Sequence, residues 1–155
     1  MPSSAVNRRV AGLGLSLLAG FTVVLAAQSP APPTSTGPVP VGALTGIRLA
    51  QHHFYSGRYD DAIACAGEAQ SRFIELGDRA AAGKVGLNLG SMYVLRGDYA
   101  HGVSHLRQAA VLFARVGDRQ HSVMADIAMA RALTFLGDFD EALRVFARAR
   151  MRAAT

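Results

Sequence analysis

Apolar residues between positions 43 and 155 recur at intervals of three and four. In two successive segments the apolar or small residues are Leu87, Leu89, Gly90, Tyr93 and Val94, and then Val103, Leu106, Ala110 and Phe113. This spacing places them on one side of a helix, as expected for amphipathic helices that pack on each other. The pattern predicts six helices, roughly over 43–56, 59–75, 79–96, 99–115, 119–136 and 139–152.

Turn signals between these segments repeat with a fixed period. Gly57, Gly97 and Gly137 are 40 residues apart, and a second set, Gly77 and Gly117, keeps the same spacing. Glycine tolerates the left-handed conformation that ends a helix, and the aspartate that follows most of these glycines can cap the next helix. Two interleaved signals at one period indicate two helices per repeat and an array of helical hairpins. Arg58 replaces the aspartate after Gly57, so we expect the second helix to be less well capped.

The repeat carries a recognisable residue pattern. The middle repeat has Leu89, Gly90, Tyr93, Gly97, Tyr99 and Ala109, and the third has Gly137, Phe139, Ala142, Phe146 and Ala149. These residues resemble the tetratricopeptide repeat (TPR) family in its longer, 40-residue variety. The first repeat is more degenerate, and none has the family's tryptophan or closing proline. The resemblance implies an all-α, right-handed α-solenoid of three TPR-like helical hairpins, six antiparallel helices in all, over 43–155, with repeats at about 43–76, 77–116 and 117–155.

The sequence of the N-terminal part of the chain predicts a targeting segment followed by a linker. Arg8 and Arg9 precede 18 uncharged residues, 10–27, that end in small residues. This pattern is typical of a secretory signal peptide, and the run also approaches the length of a membrane anchor, so both interpretations stay open. Residues 28–42 are rich in proline, serine and threonine and are expected to form an extended linker. We therefore expect an extracytoplasmic protein, either periplasmic or secreted, or one anchored to the membrane by residues 10–27.

Composition narrows the class of partner. The 155 residues include 16 Lys and Arg against 11 Asp and Glu, which gives a net charge of +5. This balance favours acidic partners, but the basic residues lack the clustering of a nucleic-acid binder. The single cysteine excludes an internal disulfide framework and a multi-cysteine zinc site.

The few candidate metal-binding or catalytic residues lack the neighbouring ligands or bases that such sites require. His101 and His105 have the i, i+4 spacing of metal ligands, but no third ligand is evident, and we interpret them as solvated histidines on an outer helix. Cys65 has no neighbouring base, so we interpret it as a plain small residue near the surface. We expect no enzymatic activity, no metal and no cofactor.

The family resemblance implies a function in protein–protein interaction. In such arrays the first helices of successive repeats line a concave groove that takes a segment of a partner. By register, ten residues, called here the groove residues, would line it: Gln51, Phe54, Lys84, Leu87, Asn88, Ser91, Val94, Ile127, Arg131 and Thr134. We expect an adaptor, scaffold or assembly factor. The alternative is an N-terminal sensor or docking region of a larger enzyme, such as a caspase-like protease.

The third repeat has a further property. Its last helix has no polar helix after it in this sequence, so Val145, Phe146 and Met151 are expected to remain partly exposed, and self-association through this repeat is expected.

Overall fold

The structure, a computed structural model, describes residues 41–154 of the chain. The predicted signal or anchor segment and nearly all of the predicted linker lie outside these residues. The described part contains six helices: α1 (Val41–Tyr55), α2 (Tyr59–Glu75), α3 (Arg79–Arg96), α4 (Tyr99–Val116), α5 (Arg119–Leu136) and α6 (Phe139–Ala154). Every predicted helix is present, and no end differs from its prediction by more than two residues. None of these six helices is long and apolar enough to cross a membrane.

The turns follow the predicted mechanism. Each of the five inter-helix glycines has a positive φ, between 74° and 89°. The carboxylates of Asp78, Asp98, Asp118 and Asp138 each accept a hydrogen bond from the backbone N–H three residues later, at 3.0–3.3 Å. Arg58 makes no side-chain capping bond at the start of α2, which confirms the weaker cap. The helix boundaries are therefore set by glycine–aspartate pairs wherever both residues are present.

Helices pack mainly on their neighbours in sequence. Each helix contacts the next, and in addition α3 contacts α5, the first helix of the following hairpin. This arrangement confirms the expected all-α solenoid of three hairpins for the part of the chain described.

Small residues allow the two helices of a hairpin to lie close together. A Cβ atom at Gly90 would lie 2.5 Å from Cγ of Leu106, and one at Gly102 would lie 2.7 Å from Cγ2 of Val94. Buried alanines occupy the equivalent places in the other hairpins, and the expected small residues of the second helices are buried as well: Ala50, Ala62, Ala130 and Ala142, then Ala69, Ala109 and Ala149. A larger side chain at these places would force the paired helices apart.

From the sequence, the bulky aromatic residues that follow the turns, Tyr59, Tyr99 and Phe139, are expected to pack between neighbouring helices. In the structure they differ between repeats. Tyr59 packs edge-on against Phe54, with ring centroids 5.6 Å apart, and Tyr99 stacks on Phe135 of the following hairpin at 5.0 Å. Phe139 is exposed, so the expectation is wrong there, because no helix after α6 is described that could cover it.

A buried ionic cluster ties α5 to α6. Asp126 is fully buried and accepts hydrogen bonds from Nη2 of Arg148 at 2.7 Å and from Nη1 of Arg152 at 2.6 Å. Arg152 also donates to Oγ of Ser122 at 2.9 Å. The bond with Asp126 raises the pKa of the Arg148 guanidinium, although partial burial acts against this. Both arginines remain partly exposed, so the cluster covers a buried carboxylate with two cations that still reach water.

Replacing Gly97 with alanine tests the turn mechanism. A Cβ atom there would meet no other atom, so the only penalty is the left-handed backbone conformation, which costs a non-glycine residue about 1–2 kcal/mol. We expect Gly97→Ala to lower the free energy of unfolding in urea by about that amount. The control, Gly97→Asn, should cost less because asparagine tolerates this conformation. Equal losses for both variants would contradict the explanation.

The ionic cluster predicts an asymmetry between its partners. The variant Asp126→Asn frees two arginines that can turn to water, and we expect a loss of about 1.5–3 kcal/mol of unfolding free energy. The double variant Arg148→Met/Arg152→Met leaves a buried carboxylate without a counter-charge, and we expect it to cost more, about 3–5 kcal/mol. Urea unfolding followed by circular dichroism measures both. A larger loss in Asp126→Asn would show that the carboxylate is not the costly member.

Candidate functional site

The groove residues all lie on the first helices of the hairpins, α1, α3 and α5. Three of them occupy the same position in successive repeats, 40 residues apart, and are called here the polar row: Gln51, Ser91 and Arg131. All three are half-buried, so each side chain lies partly packed and partly in contact with solvent.

The side chains of the polar row and its neighbours differ in what they can still bind. The Oγ of Ser91 donates to the carbonyl of Leu87 at 2.9 Å, and the Oγ1 of the exposed Thr134 donates to the carbonyl of Ala130 at 3.0 Å. Both hydroxyl oxygens can therefore still accept a hydrogen bond. Lys84 and Arg131 make no ion pair with any residue between 41 and 154. The positive charges of these two side chains are therefore not neutralised by a carboxylate within residues 41–154.

Other groove residues serve the packing of the array. Phe54, Leu87 and Asn88 are buried, and Val94 is half-buried beside Gly102. Ile127 is exposed, although it occupies the position of the buried Leu87, because α5 has no following first helix in the described part. The groove is thus most accessible at Gln51, Lys84, Ser91, Ile127, Arg131 and Thr134. Contact of any of the ten residues with a partner stays a prediction.

A cluster of aromatic rings lies between α3 and α4. Tyr93 stacks on His101 and His105, with ring centroids 5.4 and 5.1 Å away. His101 is exposed, and its Nδ1 lies 2.8 Å from the carboxylate of Asp98, which confirms a solvated position for that residue. His105 is half-buried, so the expectation that it is solvated is wrong, and its Nδ1 makes no hydrogen bond with any other described residue. Sequence spacing could not distinguish the two, because the tyrosine that covers His105 comes from another helix.

Two pKa shifts describe this cluster. Burial, and then the charge of His101, lower the pKa of His105 below its ordinary value. Desolvation alone would raise the pKa of Asp98, but hydrogen bonds from the backbone and side chain of His101 lower it. Within residues 41–154 there is no group of three or more histidine, cysteine, aspartate or glutamate residues placed to hold a metal ion.

Cys65 is unsuited to nucleophilic chemistry. The thiol is half-buried, and its pKa is raised by desolvation and by the charges of Glu68 and Asp61. Because the thiolate is the reactive form, these surroundings leave the group largely protonated and inert.

Comparison with known proteins gives two matches. A family model described as Tetratricopeptide repeat matches residues 123–148, which span most of α5 and the first part of α6. Among solved structures, the crystal structure of the TPR domain of Arabidopsis FLU is similar to this chain. The TM-score is 0.66 at 17% sequence identity, over 73% of this chain and 95% of that one. No curated protein sequence matches. The family match indicates a tetratricopeptide repeat within residues 123–148, and the structural match shows that the chain shares the fold of that TPR domain.

The burial of His105 predicts a dependence of stability on pH. The unfolded chain binds a proton at this histidine near its ordinary pKa of 6.5, whereas the folded chain binds it only at lower pH. The stabilisation that the neutral, buried His105 contributes to folding is therefore complete above pH 6.5. It is lost as the pH falls towards the lowered pKa of the folded chain. We expect the difference in unfolding free energy between the parent chain and His105→Val to shift against the parent on acidification. Valine is the matched replacement because Val145 occupies the equivalent place. A difference that stays constant with pH would contradict this.

Proposed function

We propose that this chain is a non-catalytic adaptor or scaffold that binds a segment of a partner protein along the first-helix side of its repeats. The observation that carries the proposal is the polar row, which presents one hydrogen-bonding side chain per repeat at a constant position on the three first helices. Repeat arrays use such extended surfaces to bind other chains.

The chemistry of the row fits an extended segment with acidic side chains. Gln51 can donate and accept, Ser91 can still accept, and Arg131 offers several N–H donors in a planar group suited to a carboxylate. Lys84, on the same helix as Ser91, adds a second cation without an ion-pair partner among residues 41–154. Backbone carbonyl and N–H groups of the bound segment would meet the neutral members of the row, while aspartate or glutamate would pair with the cations.

We place this module outside the cytoplasm, as part of the same proposal. Support comes from the sequence: a basic pair, an uncharged run over 10–27 and a proline-rich stretch precede the repeats. Cell fractionation with mass measurement of the isolated chain tests it. Loss of about the first 27 residues indicates a cleaved signal, an intact chain in the membrane fraction indicates an anchor, and an intact chain in the cytoplasm would overturn the placement.

A charge reversal in the row tests the binding site. The probes are two peptide libraries, one with glutamate and one with glutamine at a fixed central position, and binding is measured by fluorescence polarisation. We expect the parent chain to prefer the glutamate library and Arg131→Glu to weaken that binding about tenfold or more, because an attraction becomes a repulsion. The thermal midpoint should change little, because surface substitutions usually cost about 0.5 kcal/mol or less.

A matched control separates a local site from overall charge. Arg115→Glu makes the same change at an exposed position on α4, a second helix, and should leave peptide binding nearly intact. Equal weakening by both variants would contradict the groove. Asn88→Ala is unsuited to this purpose, because Asn88 is buried and its replacement is expected to lower the thermal midpoint as well.

A further inference from the structure

The last described hairpin presents an exposed apolar surface. Four large side chains form it, and they are called here the end face: Phe139, Leu143 and Phe146 on α6, and Ile127 on α5. Val145 was expected to belong to such a surface, but it is fully buried. It projects from the other side of α6, towards α5.

Equivalent positions in the earlier repeats are covered by the next hairpin. Leu143 is 68% exposed, whereas Val103, in the same place one repeat earlier, is 7% exposed and Ile63, two repeats earlier, is 9%. Phe146 is 41% exposed against 0% for Leu106, and Ile127 is 41% exposed against 5% for Leu87. Tyr99 has the following helix's Phe135 stacked on it, while Phe139 is exposed. The end face is therefore the third copy of a surface that, in the first two repeats, is covered by the next hairpin. No helix among residues 41–154 covers this third copy.

The charges at the rim of the end face select among possible occupants. Arg150 is exposed and stands where the earlier repeats have the buried Gln70 and Ala110, and Asp140 is exposed in the first turn of the same helix. The outer side of α1 in a second copy would complete a head-to-tail contact, but it presents the exposed Arg48 and His52. That contact would bring the guanidinium of Arg48 towards that of Arg150, which is unfavourable.

We propose that two copies of this chain pair through their end faces, with α6 of one copy antiparallel to α6 of the other. Antiparallel packing is how each second helix already meets the first helix of the next hairpin. A two-fold axis near Phe146 and Ala147 places Leu143 of each copy against the aliphatic stem of Arg150 from the other. The Arg150 guanidinium then lies about one helical turn from Asp140 of the other copy, so the pair of helices gains two symmetric ion pairs.

Two local features favour such a contact. Ala147 is small and exposed, so the helices can approach closely where the axis would pass. The cluster of Asp126 with Arg148 and Arg152 holds α6 onto α5 from the opposite flank, so the end face is presented by a helix that is itself fixed. A contact of this kind adds to the proposed groove without using any of its residues except Ile127.

The first experiment measures the mass of the full chain by sedimentation velocity over a range of concentrations. We expect a dimer, and we expect Leu143→Glu and Phe146→Glu each to give a monomer with an unchanged helical circular dichroism spectrum. Val111→Glu is the control, because Val111 is a large apolar residue that is exposed on α4, outside the end face, and this variant should remain dimeric. A monomeric parent chain, or a dimer that persists in Phe146→Glu, would overturn the proposal. The latter result would place the contact elsewhere, for example in residues 1–40.

The second experiment tests the pairing itself through a charge exchange. Asp140→Arg and Arg150→Glu should each weaken dimerisation about tenfold, and the double variant should restore it, because both copies then carry the exchanged charges. Failure of the double variant to recover would show that these two residues do not face each other, and the antiparallel arrangement would be wrong. Hydrogen exchange distinguishes a second copy from residues 1–40 as the occupant of the end face. A monomer whose α6 is protected, with the protection lost on deletion of residues 1–40, would identify that segment as the occupant in place of a second copy.

Discussion

The close approach of paired helices at small residues is the constraint on which the rest of this structure depends. Where Gly90 meets Leu106 and Gly102 meets Val94, no room remains for a Cβ atom, and the equivalent alanines in the other hairpins leave little more. Because each hairpin is this thin, it cannot enclose its own apolar side chains, and it buries them against the next hairpin. This stacking determines which helix faces pack against the next hairpin. It also leaves the polar row accessible on the first helices and the end face uncovered at α6.

The arrangement of helices was predictable because its signals are local. A helix stops where glycine can adopt a positive φ and starts where a carboxylate can bond the third N–H, and both events depend on a few adjacent residues. Even the exception at Arg58 could be seen in the sequence, since no side chain there can accept that bond. The fixed period then provides the stacking, because identical spacing leaves each repeat in the same relation to the next.

The details of burial were not predictable in the same way, because they depend on residues from other helices. Register placed Phe54, Leu87 and Asn88 on the groove side, but register does not say how far the neighbouring helix covers them. Asp126 is a clearer case. It stands in the row occupied by Gly46 and Gly86, and nothing local indicates that its carboxylate is fully buried and held from α6. The available signal was an acidic residue where two glycines precede it, together with two arginines four residues apart on the following helix.

The Asp126 cluster also affects how α6 can separate from α5. Among residues 41–154 the last hairpin has a neighbouring hairpin on one side only, and segments with few contacts are where local unfolding usually begins. Detaching α6 would remove both arginines from Asp126 at once. The cluster therefore couples the opening of α6 to the loss of two ion pairs, so α6 is held against α5 by more than its apolar contacts.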